Sequence, residues 1–437
     1  MSLTTATETR RHREIQKNIV LLFSVPLCLC GVFKKGGVMK KLLAVCALLM
    51  LVSCTSAIQD ATLPTPDQSP QENEAPTSPT HPADAAIPLG NKAIIAATNW
   101  TDPVGSLASI DIVSGYTPAT ALVSTDGSDV VLQSFFGKIY VINRFGADTI
   151  QVINPADYSI VADYSVGGGS NPQDIWAVSE EKAYVSRLDA QNDANTTDDI
   201  LITNPLTGEH LGSIDFKSYM YEDGDKLSRA GQMIAVDKKL FVCLQDLPTN
   251  LLDKANTNGK IGVIDMETDE ILGVINLSGR NPADITYSPL TKLIYVSNSG
   301  VFDNFMTDVT DPYGGIETID PETLESKGIV VDDVDLGGYT QAIRLASDTL
   351  GYVIIGGLKI ASFNPASYDV INNAFYTSLG FYLPDFSLDN SGNVYVAETA
   401  AGNTGVIIVD ENRATVAGPI PVGAPPSSIT FVGYEED

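Results

Sequence analysis

Carboxylates recur at matched places along this chain, each directly ahead of an apolar run: Asp129-Val130, Asp174-Ile175, Asp284-Ile285 and Asp385-Phe386. Gln232-Met233 and Ser428-Ile429 repeat the pattern with neutral polar residues, and Ala342-Ile343 keeps only its apolar half. Acids gathered around one opening would concentrate cations or attract a basic partner. At the start of a strand the same side chains have a second use, accepting hydrogen bonds from backbone N–H groups. Asp189, Asn192, Asp193, Asp198 and Asp199 offer oxygen ligands at the close spacing calcium requires, without the glycine and bidentate glutamate of an EF-hand loop. The alternative for that segment is a solvated acidic loop. Arg144, Arg187, Arg229 and Arg280 are the counterweights, either partnering nearby carboxylates or orienting an anionic ligand.

Catalytic sets built on histidine or cysteine are not to be expected. Beyond the first 53 residues only His81 and His210 are present, which leaves no Ser-His-Asp triad and no histidine-rich metal site. There is no Cys-x-x-Cys-His for haem and no glycine-rich phosphate loop. Cys243 falls inside an apolar run and reads as a small core residue. Trp100 and Trp176 are too few for the tryptophan-docked blades of quinoprotein dehydrogenases.

The amino-terminal region carries addressing rather than chemistry. Met39-Lys40-Lys41, the apolar run Leu42 to Leu51 and a small residue at 53 have the three parts of a secretory signal. Leu51-Val52-Ser53-Cys54 resembles the lipobox of bacterial lipoproteins, which implies cleavage before Cys54 and acylation there. Met39 is the expected translation start, because Lys35-Gly36-Gly37 just before it can be encoded by a purine-rich ribosome-binding run. Residues 1–53 are thus read as extension and signal peptide. Residues 54–88, rich in Pro, Thr, Ser and acids, are read as a flexible lipid-anchored linker. With Thr55 after the cysteine, the outer membrane or cell surface is the expected address. Removing residues 1–53 takes away eight of the 26 Lys and Arg and two of the 54 Asp and Glu, leaving a net charge of −34. Such a surface repels nucleic acid, so none is expected as a partner. Of five cysteines only Cys54 and Cys243 remain, so stability must come from a core and not from a disulfide.

Residues 89–437 change to short β-branched and aromatic runs broken by turn residues, with no helical period of useful length. An apolar strand ending in Asp or Asn recurs at Asp111, Asn154, Asn204, Asp265, Asp320, Asn364 and Asp410, spaced by 43, 50, 61, 55, 44 and 46 residues. Ahead of the last six stand Tyr140-Val141, Tyr184-Val185, Phe241-Val242, Tyr295-Val296, Tyr352-Val353 and Tyr395-Val396, with Ile94-Ile95 as the first counterpart. The repeat begins with its second strand and ends at Ser428 to Tyr434 with a lone first strand. Pairing that strand with Lys92 to Ala97 gives an all-β, seven-bladed β-propeller with no exposed terminal edge.

Tyr295-Val296-Ser297-Asn298, and more loosely Tyr140-Val141-Ile142-Asn143, resemble the YVTN signature of bacterial surface-layer and exported seven-bladed propellers over roughly residues 90–437. The resemblance implies fold and cell-envelope location more than activity. In such a fold the long segments 188–199, 217–231, 246–259 and 299–315 share one face with the acid-bearing strand starts. The expected role is a non-enzymatic binding or scaffold lipoprotein offering an acidic face to a protein, peptide or glycan. The alternatives are a calcium-dependent hydrolase or lactonase and an outer-membrane assembly factor.

Overall fold

The computed structural model describes residues 91–99, 101–220, 226–248, 257–303, 306–308 and 312–432. The expected leader, the lipidation site Cys54 and the linker lie outside them, as does Trp100. No helix among the described residues is long and apolar enough to cross a membrane.

The described chain is nearly all β, in seven four-stranded antiparallel sheets. Blade 1 takes its innermost strand, Pro426–Val432, from the end of the chain and pairs it with Lys92–Ala97, followed outward by Ser106–Asp111 and Thr117–Ala119. The register runs from Lys92 opposite Val432 to Ala97 opposite Pro426, with one bulge between Ala96 and Ala97. The innermost strands of blades 2 to 7 are Val130–Phe135, Pro172–Ala177, Ala230–Val236, Pro282–Ser288, Thr340–Leu345 and Phe386–Leu388, and in each blade the three strands that follow run outward in chain order. The seven-bladed, ring-closed architecture read from the repeats is the one observed.

Apolar residues on the second strands run almost without interruption because these strands are covered on both faces. Lys92–Ala97 shows how a period of two divides the work. Ala93, Ile95 and Ala97 pack with Tyr395, Ile408 and Phe431 towards blade 7, whereas Ile94 and Ala96 pack with Leu132 and Val141 towards blade 2. Seven such clusters, one between each pair of neighbouring blades, make up the described core. The Tyr, or Phe241, of the second strand in blades 2 to 7 is fully buried in one of them. Two of these tyrosines also fasten to the outer turn of the following blade. The Tyr184 hydroxyl donates to Asp269, and that of Tyr295 donates to the Pro365 carbonyl at 3.0 Å.

The Asp or Asn at each outer turn does what its spacing implied. Asn204 Oδ1 accepts from the amides of Leu206 and Thr207 at 2.9 and 3.0 Å, and Asp265 Oδ1 from those of Glu267 and Thr268 at 2.8 and 3.1 Å. These turns lie on the face where both described ends of the propeller emerge.

If ring closure carries stability, Phe431→Ala, which empties a buried site against the Tyr395 ring 5.0 Å away, is expected to cost about 3–5 kcal/mol in urea unfolding. Asp410→Ala at a peripheral turn is expected to cost about 1 kcal/mol. Equal costs for the two would contradict the closure.

Candidate functional site

Each innermost strand begins at the mouth of the central channel, on the face opposite those turns. Asp174, Asp284 and Asp385 stand there on blades 3, 5 and 7 and do the same job. One oxygen of each accepts from the following amide of its own strand: Ile175 at 2.9 Å, Ile285 at 2.9 Å, Phe386 at 2.8 Å. The other accepts from the innermost strand of the next blade, at the amides of Met233, Ile343 and Ile429, each at 2.9 Å. The three carboxylates thus tie blade 3 to 4, 5 to 6 and 7 to 1. Ser428 extends the chain of contacts, its Oγ accepting from the Leu132 amide at 3.1 Å and donating to Asp385 at 3.3 Å. Gln133 carries it on to Asp174 at 2.8 Å. Gln232 lies in a bulge between Ala230 and Met233 and is half-buried.

Asp129, the matching acid of blade 2, pairs instead with Arg144, whose Nε donates at 2.9 Å while Nη1 reaches Gln173 at 3.2 Å. Burial pushes the Asp174 carboxyl up to about 7, against the pull of its N–H donors. Asp385 is likewise raised by burial, to about 6, with Arg344 opposing. These side chains are therefore built into the channel wall, not spread over a solvated rim.

The acidic loop after Arg187 separates its carboxylates. Asp189 accepts from Arg229 and from Asn171 Nδ2, the latter at 2.9 Å. Asp193 accepts from the fully buried Arg187 at 2.7 Å. Arg187 also donates to the carbonyls of Val166 and Thr196, each at 3.2 Å, and to that of Asp198. The Asp198 carboxylate takes the Ser213 hydroxyl, and Asp199 takes the Phe216 amide at 2.7 Å and the Ser228 hydroxyl. Asn192 donates to the Gly169 carbonyl at 3.3 Å. The five expected calcium ligands thus turn to five different sets of partners. Among the described residues no group of three or more His, Cys, Asp or Glu is placed to share a metal ion. Arg280 stacks on Tyr313, with its guanidinium carbon 3.6 Å from the ring centroid, and donates to Asn258 at 3.3 Å.

A scan against models of protein families matches none, and a search among curated proteins finds no match either. Solved structures do match. A candidate 6-phosphogluconolactonase from Bacteroides fragilis aligns with TM-score 0.54 at 12% identity, over 80% of this chain and 99% of that one. A functionally unknown protein from Desulfotomaculum acetoxidans aligns with TM-score 0.53 at 12% identity, over 79% and 100%. BamB from Moraxella catarrhalis aligns with TM-score 0.39 at 15% identity, over 70% and 81%, and nothing below rests on it. The likeness is one of fold. Site chemistry has to be read from this chain's own residues.

Several of those residues escaped the sequence. Arg344, on the innermost strand of blade 6, donates to Asp284 and lies 3.8 Å from Asp385. Burial alone would lower its pKa, but Asp284 and Asp385 outweigh burial and hold it above the ordinary value. Its signal was position, two residues after Ala342 and so on the same side of the strand. Glu317 is fully buried and accepts from the amides of Ser278 and Gly279 at 2.8 and 2.9 Å and from Asn298 Nδ2 at 3.2 Å. Gln151 takes the matching place in blade 2, accepting from Asn143 Nδ2 at 3.1 Å and from the Asp126 amide at 3.2 Å. Asn143 also takes the Asp126 and Gly127 amides of the loop arriving from blade 1, at 3.1 and 3.2 Å, whereas Asn298 supports the equivalent loop through Glu317.

Two outcomes follow for stability. Asp174 and Asp385 are raised from 3.8 to about 7 and about 6, so between these limits the folded chain holds protons that the unfolded chain has released. Their contribution is complete below about pH 4 and is lost as pH rises through 6 to 7. In thermal melts from pH 5 to 8, Asp174→Asn is expected to show a shallower fall than the unaltered protein, and an unchanged slope would contradict this. Arg187→Ala strands the buried Asp193 and is expected to cost about 3–5 kcal/mol in urea unfolding.

Proposed function

We propose that this chain is a non-enzymatic binding or scaffold propeller of the bacterial cell envelope, held by a lipid on Cys54, with its contact surface on the channel-mouth face. The observation that carries this reading is the asymmetry of the connections. On one face no strand connection within a blade exceeds six residues, whereas the connections 188–199, 215–229, 245–259 and 300–313 all start and end on the other, on blades 3, 4 and 5 or between them. Long connections on a rigid scaffold are the usual place for recognition. Lys92 and Val432 are paired at the short-turn face, opposite the mouth. The arginines and aspartates at the mouth satisfy one another, which favours passive recognition over acid–base chemistry. Its partner is a protein, peptide or glycan.

The test is site-specific photo-crosslinking in intact cells of the source organism. Probes at Val334 and Leu379, exposed on the mouth face, are expected to capture an envelope component, and probes at Leu290 and Val113, exposed on the opposite face, are not. Capture from Leu290 and Val113 alone would overturn the assignment of the face.

A further inference from the structure

The second and third strands of blade 6, Gly351–Ile355 and Lys359–Phe363, are joined by the tight connection Gly356-Gly357-Leu358, with φ of 58° and 66° at the two glycines. Bare backbone therefore lies between the segments that carry Tyr339, ahead of the innermost strand of blade 6, and Tyr382, ahead of that of blade 7. A Cβ at Gly357 would stand 2.9 Å from Tyr339 Oη and 3.8 Å from both Gln341 Oε1 and Tyr382 Cδ2. The Tyr339 hydroxyl thus caps the Gly357 backbone, with the Gln341 amide and the edge of the Tyr382 ring beside it. All three residues are half-buried. Tyr382 stands on the connection between the outermost strand of blade 6 and the innermost strand of blade 7, and so at the mouth face.

The charges around this spot are already used. Arg144 is held by Asp129 and Gln173, and Arg344 by Asp284 and Asp385. An anion would have to break one of these pairs to find a cation, and a cation would have to break one to find a carboxylate. What is left over is neutral. Tyr164, Tyr295 and Tyr376 spend their hydroxyls on Pro205, Pro365 and Glu398. The hydroxyls of Tyr339 and Tyr382 and the side-chain amide of Gln341 make no hydrogen bond to the described protein and are not sealed from solvent. An apolar ligand would cover them and leave them unpaired, which is unfavourable. A ring with hydroxyls at its edge and C–H groups on its faces suits both the polar atoms and the phenol faces.

We infer that the mouth at blade 6 is a binding site for a neutral saccharide, held by Tyr339, Tyr382 and Gln341 beside Gly357. This rests on the reading of the mouth face as the contact surface and names the ligand class.

The test is isothermal titration calorimetry on the full chain with maltohexaose, chitohexaose and xylohexaose, and with tetragalacturonate and a mixed tripeptide pool as contrasts. At least one neutral oligosaccharide is expected to bind saturably. Tyr339→Phe and Tyr382→Phe, which keep the rings, are each expected to weaken it by about five- to tenfold, the loss of one or two hydrogen bonds, with unchanged thermal melting. Tyr116→Phe, in the outer turn of blade 1 on the opposite face, is expected to leave affinity unchanged. The inference fails if no neutral oligosaccharide binds at about 10 mM, too weak to matter on the scale of useful affinities. It also fails if tetragalacturonate or the tripeptides bind better, or if both tyrosine substitutions are silent. If it fails while Val334 and Leu379 still crosslink to an envelope component, the mouth face remains the contact surface and only the ligand class is lost.

Discussion

A four-stranded blade cannot stand alone, because its strands are apolar on both faces and its innermost strand needs a covered edge. The constraint on which this structure depends is therefore that every blade be flanked by two others, which seven copies satisfy only by bending into a ring. The last link is made by Pro426–Val432 against Lys92–Ala97, two segments at opposite ends of the described chain. Ala93 and Ile95 look towards blade 7 and Ile94 and Ala96 towards blade 2, so this one sheet seals two core clusters at once. Among the described residues the one cysteine, Cys243, is free, so the apolar clusters and the staples between strand starts hold the ring shut.

The acidic composition takes on a different meaning inside that frame. Acidic side chains outnumber basic ones, 54 Asp and Glu against 26 Lys and Arg. Three of those at the mouth, Asp174, Asp284 and Asp385, are structural, each accepting backbone amides from two neighbouring blades. The arginines are drawn into the same network: Arg187 disappears entirely into the base of its loop, and Arg229 and Arg144 each close on an aspartate. A mouth whose charges are spent internally can still recognise a ligand, but through hydroxyls, amides and ring faces.

The fold was legible because propeller sequences repeat. The Asp or Asn turns, the buried tyrosines and the unpaired final strand stated blade number, strand order and closure before any coordinates did. The ring of strand-start residues was legible as well, and so was its capping role, since an acid ahead of an apolar strand has amides within reach. The partners were not. Nothing in Asp189-Ala190-Gln191-Asn192-Asp193 says that one carboxylate will meet Arg229, forty residues away, and another Arg187. Oxygen ligands close in sequence look like a cage, yet the Ala190–Asn192 turn and the loop after it point them apart. Tyr339, Tyr382 and Gln341 were invisible for the same reason, because they meet only where the short Gly356-Gly357 connection lets two loops lean inward.

Hydrogen–deuterium exchange on the full chain tests closure most directly. The amides of Lys92–Ala97 and of Pro426–Val432 are hydrogen-bonded into one sheet and should be protected as strongly as those of Ala230–Val236 and Lys239–Leu244 in blade 4. Exchange of either segment within seconds, at the rate of an unpaired chain end while blade 4 stays protected, would mean that the ring is open and that the mouth described above does not exist.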